Sequence, residues 1–169
     1  MLHLVDSTDP VLRQSTILFD FDQTIVDPEQ LVHEMTKTMH TYNGIGLAGP
    51  QVNCPFAVFT MGWDDNDTAI FNPKIIKSAD AVVSFDEGCL SFPGLVLRIN
   101  RPTWVDVEYQ NVKGDRVEKR MTELEARVFQ HEYDHLNGIC FDKKVSKLKL
   151  DMAKKRAEKL KRKIEKLDV

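Results

Sequence analysis

The chain has 169 residues, a formal net charge of −3 and 42% hydrophobic residues, enough for one domain with a real core. It has no run of about 18 apolar residues to span a membrane. Met1-Leu2-His3-Leu4-Val5-Asp6 lacks the basic flank and apolar run of a secretory signal, so a cytoplasmic protein is expected.

After an irregular start, Asp27-Pro28-Glu29-Gln30 places an N-cap, a proline at the first helical position and a capping-box Gln in order. A helix is expected from about Pro28 to Tyr42, burying Leu31, Val32, Met35 and Met39. It should stop at Asn43-Gly44-Ile45-Gly46, where paired glycines supply positive φ and close backbone approach. Phe56 to Met61, Ala69 to Phe71 and Ala81 to Phe85 read as short strands. Thr103 to Tyr109 and Arg116 to Met121 read as a hairpin around Asn111-Val112-Lys113-Gly114.

A second helix should begin at Thr122, where Thr122-Glu123-Leu124-Glu125 is a capping box, and end near Asn137-Gly138. On it, Leu124, Val128, His131 and His135 fall at spacings of four, three and four, so both imidazoles continue an apolar stripe and face inward. Residues 147 to 169 carry net +6 while the rest carries net −9. Leu150, Ala153, Ala157, Leu160, Ile164 and Leu167 give this basic tail a narrow apolar seam. The expected organisation is a catalytic domain over 1–146 followed by a basic amphipathic helix over 147–169.

His131-Glu132-Tyr133-Asp134-His135 carries the chemistry. Two imidazoles one turn apart can close on one cation, and Glu132 then stands beside the water that cation would hold. The bland alternative is a core histidine beside a surface His-Glu pair. A hydrolytic metal site wants a third protein ligand. No further His follows Gly138, and Glu158 and Glu165 lie in the basic tail. Three widely spaced cysteines do not make a disulfide framework. Of Cys54, Cys89 and Cys140, Cys89 is the candidate ligand, although a lone cysteine is more often a small buried hydrophobe.

Gly44-Ile45-Gly46-Leu47-Ala48-Gly49-Pro50-Gln51, Glu87-Gly88-Cys89-Leu90-Ser91 and Gln130-His131-Glu132-Tyr133-Asp134-His135-Leu136-Asn137-Gly138 together resemble the three signature motifs of peptide deformylases. One departure is visible: Gly49 stands where the family usually has a second alanine, which would loosen that loop without removing a reacting group. The resemblance implies an α+β fold, with short, mostly antiparallel sheets around the ligand-bearing helix, one helix before them and a basic helix at the end. It also implies hydrolysis of the N-formyl group from the N-terminal formylmethionine of nascent polypeptides.

By the same resemblance, Cys89, His131 and His135 bind one divalent metal, natively Fe(II), with zinc, nickel or cobalt able to occupy the site. Glu132 moves the proton, while the Gln51 amide and the Leu90 backbone N–H stabilise the oxyanion. Gly44, Ile45 and Gly46 meet the peptide backbone, and Leu124 and Val128, with Ile45 and His131, wall the methionine pocket. Arg127 is read as a solvated charge at the pocket rim, and Asp134 is expected to pair with Arg101 and steady the ligand helix. The basic helix of bacterial deformylases docks on the ribosome near the nascent-chain exit; a helix packed on the body is the alternative. A monomer without membrane contact is expected. Two other functions stay open: a His-Glu-x-x-His metallopeptidase, and a non-catalytic ribosome-binding relative.

Overall fold

Asp27 caps the first helix by accepting from the backbone N–H groups of Glu29 and Gln30 at 2.9 and 3.3 Å. Pro28 opens it, and α1 spans Pro28–Thr41, as those residue types dictate. The computed structural model describes residues 2–23, 26–63 and 66–164. Met35 and Met39 are fully buried with Phe19, Leu47, Val58 and Phe71, while Leu31 and Val32 pack at the edge of that cluster. The chain leaves α1 through Asn43, at φ 55°. The expected positive φ thus falls on the asparagine, and Gly44 and Gly46 serve close approach alone.

Among the described residues seven strands follow: β1 (Gly46–Ala48), β2 (Val58–Met61), β3 (Thr68–Ser78), β4 (Val82–Glu87), β5 (Leu97–Pro102), β6 (Trp104–Gln110) and β7 (Arg116–Thr122). Five form an antiparallel sheet in the order β1-β2-β3-β6-β7, and β4 pairs with β5 in a separate two-stranded sheet. The hairpin runs in register from Trp104 opposite Thr122 to Gln110 opposite Arg116, and Gly114 turns it at φ 83°. β1 lies at the rim of its sheet, so one edge of its backbone is left for another chain.

Helix α2 (Glu123–Leu136) is buried along most of its inner face. Phe129 meets Phe59 edge to face, 5.3 Å between centroids, within a cluster that includes Met61, Ile70, Val105 and Met121. Gly138 caps its end at φ 69°, where a side chain would lie 2.7 Å from the Arg13 carbonyl oxygen. The expected capping box at its start does not form. The Thr122 side chain makes no cap bond, Glu125 pairs with Lys119 instead, and Glu123 turns the chain from β7 into the helix at φ 51°. Strand passes into helix within one residue, which leaves no room for reciprocal capping.

Helix α3 (Lys147–Ile164) docks through its first half. Leu150 and Ala153 pack on Leu95, Leu97, Ile99 and Phe141, a cluster that also touches Cys89 and Phe92. The expected seam does not continue to Leu160, which is 57% exposed; the Ile164 side chain and Leu167 lie outside the described residues. Among the described residues no helix is long and apolar enough to cross a membrane. The architecture is α+β with α2 at its centre, as expected.

Candidate metal centre

β4 ends at Glu87 and delivers Gly88 and Cys89 into a tight turn, closed by the Phe92 N–H donating to the Cys89 carbonyl at 2.9 Å. From the other side α2 presents His131 and His135, whose ring centroids are 5.0 Å apart. One ligand atom each from Cys89, His131 and His135 lies within 4.8 Å of the others. Cys89 Sγ stands 3.3 Å from His135 Nε2. Around a tetrahedral ion with a sulfur at about 2.3 Å and a nitrogen at about 2.1 Å, those atoms are about 3.6 Å apart, so this pair needs little adjustment to share an ion. Two imidazoles and one thiolate suit a borderline-soft divalent cation. Among the described residues, Glu132 Oε2, beside the trio, is buried without a hydrogen-bond partner, as is His135 Nδ1, on the side of its ring away from Cys89.

Without a cation, burial disfavours charge on His131, but the facing Cys89 and Glu87 outweigh it and raise the ring to about 10; a cation on Nε2 would take the place of that proton. Burial and the neighbouring His131 charge push His135 well below its ordinary 6.5. Glu132 is 4% exposed, and burial raises its carboxyl to about 7 despite the pull of His131 and Arg101. A carboxyl poised near neutrality can both take and return a proton.

Gln51 is held from two sides. Its Oε1 accepts from the Ala48 N–H at 2.8 Å, which turns Nε2 toward Cys89 Sγ at 3.5 Å and Ser91 Oγ at 3.3 Å. A cleft of about 480 Å³ opens over these groups. It gathers Gly44, Ile45, Gly46, Leu90, Leu124 and Val128 onto its walls with Gln51, Cys89, His131 and Glu132. His135 is nearly inaccessible beneath them. Gly46 is pressed so close to Glu132 that a Cβ there would sit 2.3 Å from Oε1, and a Cβ on Gly44 would sit 2.7 Å from Leu90 Cδ1. Gly49 does not loosen its loop: it lies in a short 3-10 turn (Gly49–Val52), where a Cβ would be 2.9 Å from the Phe56 carbonyl oxygen.

Arg127 corrects the sequence reading. It is buried rather than solvated at the rim, donating to Glu87 Oε1 at 2.8 Å, the Ile99 carbonyl at 3.0 Å and the Val83 carbonyl at 2.7 Å. Arg101 donates from Nε and Nη2 to the two Glu87 oxygens and from Nη1 to Asp134 at 2.7 Å, forming the expected pair. Lys144 adds a second cation to Asp134 at 2.9 Å.

Glu87, missed by sequence reasoning, is therefore the hub. It faces two guanidiniums and accepts from His131 Nδ1 at 3.0 Å, which leaves Nε2 of that ring for a metal. The available signal was Arg127 itself: four residues before His131, it shares a helix face with a ligand, and a buried arginine requires a carboxylate.

The comparisons with known proteins agree with this geometry. A family model described as polypeptide deformylase matches residues 1–151. Peptide deformylase of Thermotoga neapolitana is 38% identical over 149 residues, 88% of this chain and 89% of that protein. The chloroplastic and mitochondrial peptide deformylase 1B of Arabidopsis thaliana is 38% identical over 170 residues; the match takes in 97% of this chain but spans only 61% of that longer protein. Among solved structures, a peptide deformylase from Synechococcus elongatus in complex with actinonin superposes with a TM-score of 0.86 at 34% identity, covering 92% of this chain and 86% of that one. The three motifs, the sulfur and two imidazoles they bring together, and a family match along most of the sequence lead to one conclusion: this chain belongs to the polypeptide deformylase family.

Proposed function

We propose that the protein hydrolyses the N-formyl group from the N-terminal formylmethionine of nascent polypeptides and releases formate. The observation that carries this is the convergence of Cys89, His131 and His135 beside the buried Glu132, at the end of a cleft bordered by the free edge of β1. A divalent cation held by those three ligands supplies Lewis acidity toward water and the formyl carbonyl; Fe(II) is the proposed native metal, with zinc, nickel or cobalt as substitutes. Glu132 takes the proton from the attacking water and passes it to the leaving amine. The Gln51 Nε2 amide and the Leu90 N–H donate to the oxygen that gains charge during attack, each contributing about 3 kcal/mol. Ile45 and the flanking glycines pair with the substrate backbone as an added strand, while Leu124 and Val128 take up the methionine side chain.

A peptidase of the same helix motif would cut unblocked peptides. Formate release from formyl-Met-Ala-Ser, with no cleavage of Met-Ala-Ser, supports the deformylase assignment; the reverse pattern overturns it. We also propose that the protein acts as a cytoplasmic monomer and that the outer half of α3 docks on the ribosome, because Lys159, Lys161, Arg162 and Lys163 are exposed while Leu150 and Ala153 anchor the first half. Phosphate attraction of this kind weakens steeply with salt. Reversing those four charges should abolish co-sedimentation with ribosomes at low salt; unchanged co-sedimentation would remove the docking.

A further inference from the structure

A second groove, of about 610 Å³, opens beside the cleft. Three separate parts of the chain wall it: the N-terminal segment at Leu4 and Asp6, the turn after Cys89 at Leu90 and Phe92, and α3 at Lys154 and Ala157. Tyr42, Leu90 and Pro93 line both cavities, so the second adjoins the first at these residues. We propose that this groove is the track by which the polypeptide beyond its first few residues leaves the active site, with α3 as its outer wall. The track depends on the deformylase activity proposed above and extends it from the first residues of the substrate to its downstream portion.

The direction of travel follows from the two glycines. Gly46 lies against the Glu132 carboxylate, whereas Gly44 lies against Leu90; the backbone edge therefore leads away from the reacting group toward Tyr42. A peptide with its formyl end beside Glu132 and its main chain on that edge passes Leu90 and Tyr42, where the second groove begins. β1 begins only at Gly46, and the Gly44 and Asn43 N–H groups already donate to α1 carbonyls, so beyond the first residues the substrate is guided by the Tyr42, Leu90 and Pro93 side chains rather than by backbone bonds.

Its chemistry suits an unfolded chain of varied composition. Leu4, Leu90, Phe92 and Leu95 supply apolar surface, and Asp6, Lys154 and Glu158 place both signs of charge on the wall. Such a surface holds extended polypeptide by apolar contact without selecting one charge.

The experiment compares formyl-Met-Ala-Ser with a formylated octapeptide that shares those three residues, using metal-loaded full-length protein. The octapeptide should have a kcat/KM about fivefold higher, and this ratio should fall to near one in Ala157→Trp, where an indole fills the groove. A benzophenone side chain at substrate position six should crosslink to α3, while one at position two should not; this arm uses wild-type protein and does not depend on the variant folding. Equal kcat/KM for both lengths, or crosslinks from position six that miss α3 and residues 4–7, would overturn the track. Failure to release formate from the tripeptide would instead overturn the underlying activity.

Discussion

Glu87 Oε2 accepts a hydrogen bond from His131 Nδ1 at 3.0 Å, while the same carboxylate takes charged bonds from Arg101 and Arg127. One carboxylate thus fixes a ligand ring and joins β4, β5 and α2. Replacing it removes both services at once. Glu87→Ala leaves two buried guanidiniums without their anion and should destabilise the protein by about 3–5 kcal/mol. Glu87→Gln keeps an acceptor but loses the charge, and should lower metal affinity by about 10- to 100-fold. Cobalt titration, followed by thiolate-to-cobalt absorbance, measures the second effect; wild-type affinity in Glu87→Gln would refute the anchoring role.

Acid should dismantle this hub. Burial alone pushes the Glu87 carboxyl up, but His131, Arg101 and Arg127 outweigh it and hold the group well below its ordinary 4.5. A depressed folded value means that the stabilisation is complete above about 4.5 and disappears as pH falls below it. Urea midpoints of the metal-free protein should therefore decline between about pH 5 and 3, more steeply in wild type than in Glu87→Gln. Parallel profiles for the two proteins would contradict this account.

Glu132 has the opposite sign. Burial raises its carboxyl from 4.5 to about 7, so its ionisation costs stability as pH rises across that interval. Glu132→Gln should be more resistant to urea than wild type above pH 7 when both are metal-free, while its kcat on formyl-Met-Ala-Ser falls about 10²- to 10⁴-fold. The cobalt affinity of this variant should stay near wild type, because Glu132 is not among the three converging ligands. A stability gain without loss of kcat would show that the proton moves through another group.

Glu123 is a simpler test of backbone physics. It is exposed and sits at φ 51°, a conformation that a side chain resists and glycine accepts. Glu123→Gly should raise stability by about 0.5 kcal/mol, since relief of that strain exceeds the lost interaction of a carboxylate with the helix N-terminus. Thermal unfolding would record this as a higher midpoint, and a lower one would disprove it.

The parts of the fold that were legible in sequence are those in which local chemistry and tertiary packing agree. Asp27 and Pro28 begin α1 where their side chains require, and Gly138 ends α2 in the left-handed conformation it supplies. Two strands escaped notice for different reasons. β1 is three residues long and contains a glycine, so no periodicity marks it. β5 does alternate, with Leu97, Ile99 and Arg101 buried between exposed Arg98 and Asn100, but an arginine on the inward side conceals the pattern. The same residue explains why Glu87 went unassigned. Its role exists only when β4, β5 and α2 come together, and sequence separation hides a carboxylate from the two arginines and the histidine it serves. The two converging imidazoles were easier to find, because His131 and His135 lie one turn apart on a single helix.

Gly46 has a final consequence. With no side chain there, the backbone at Gly46 lies directly against the Glu132 carboxylate, and on the activity proposed above a substrate would meet amide groups there, which every polypeptide shares. Selection would then fall on the pocket proposed for the first residue, and such an enzyme would serve many clients while reading little beyond their terminus.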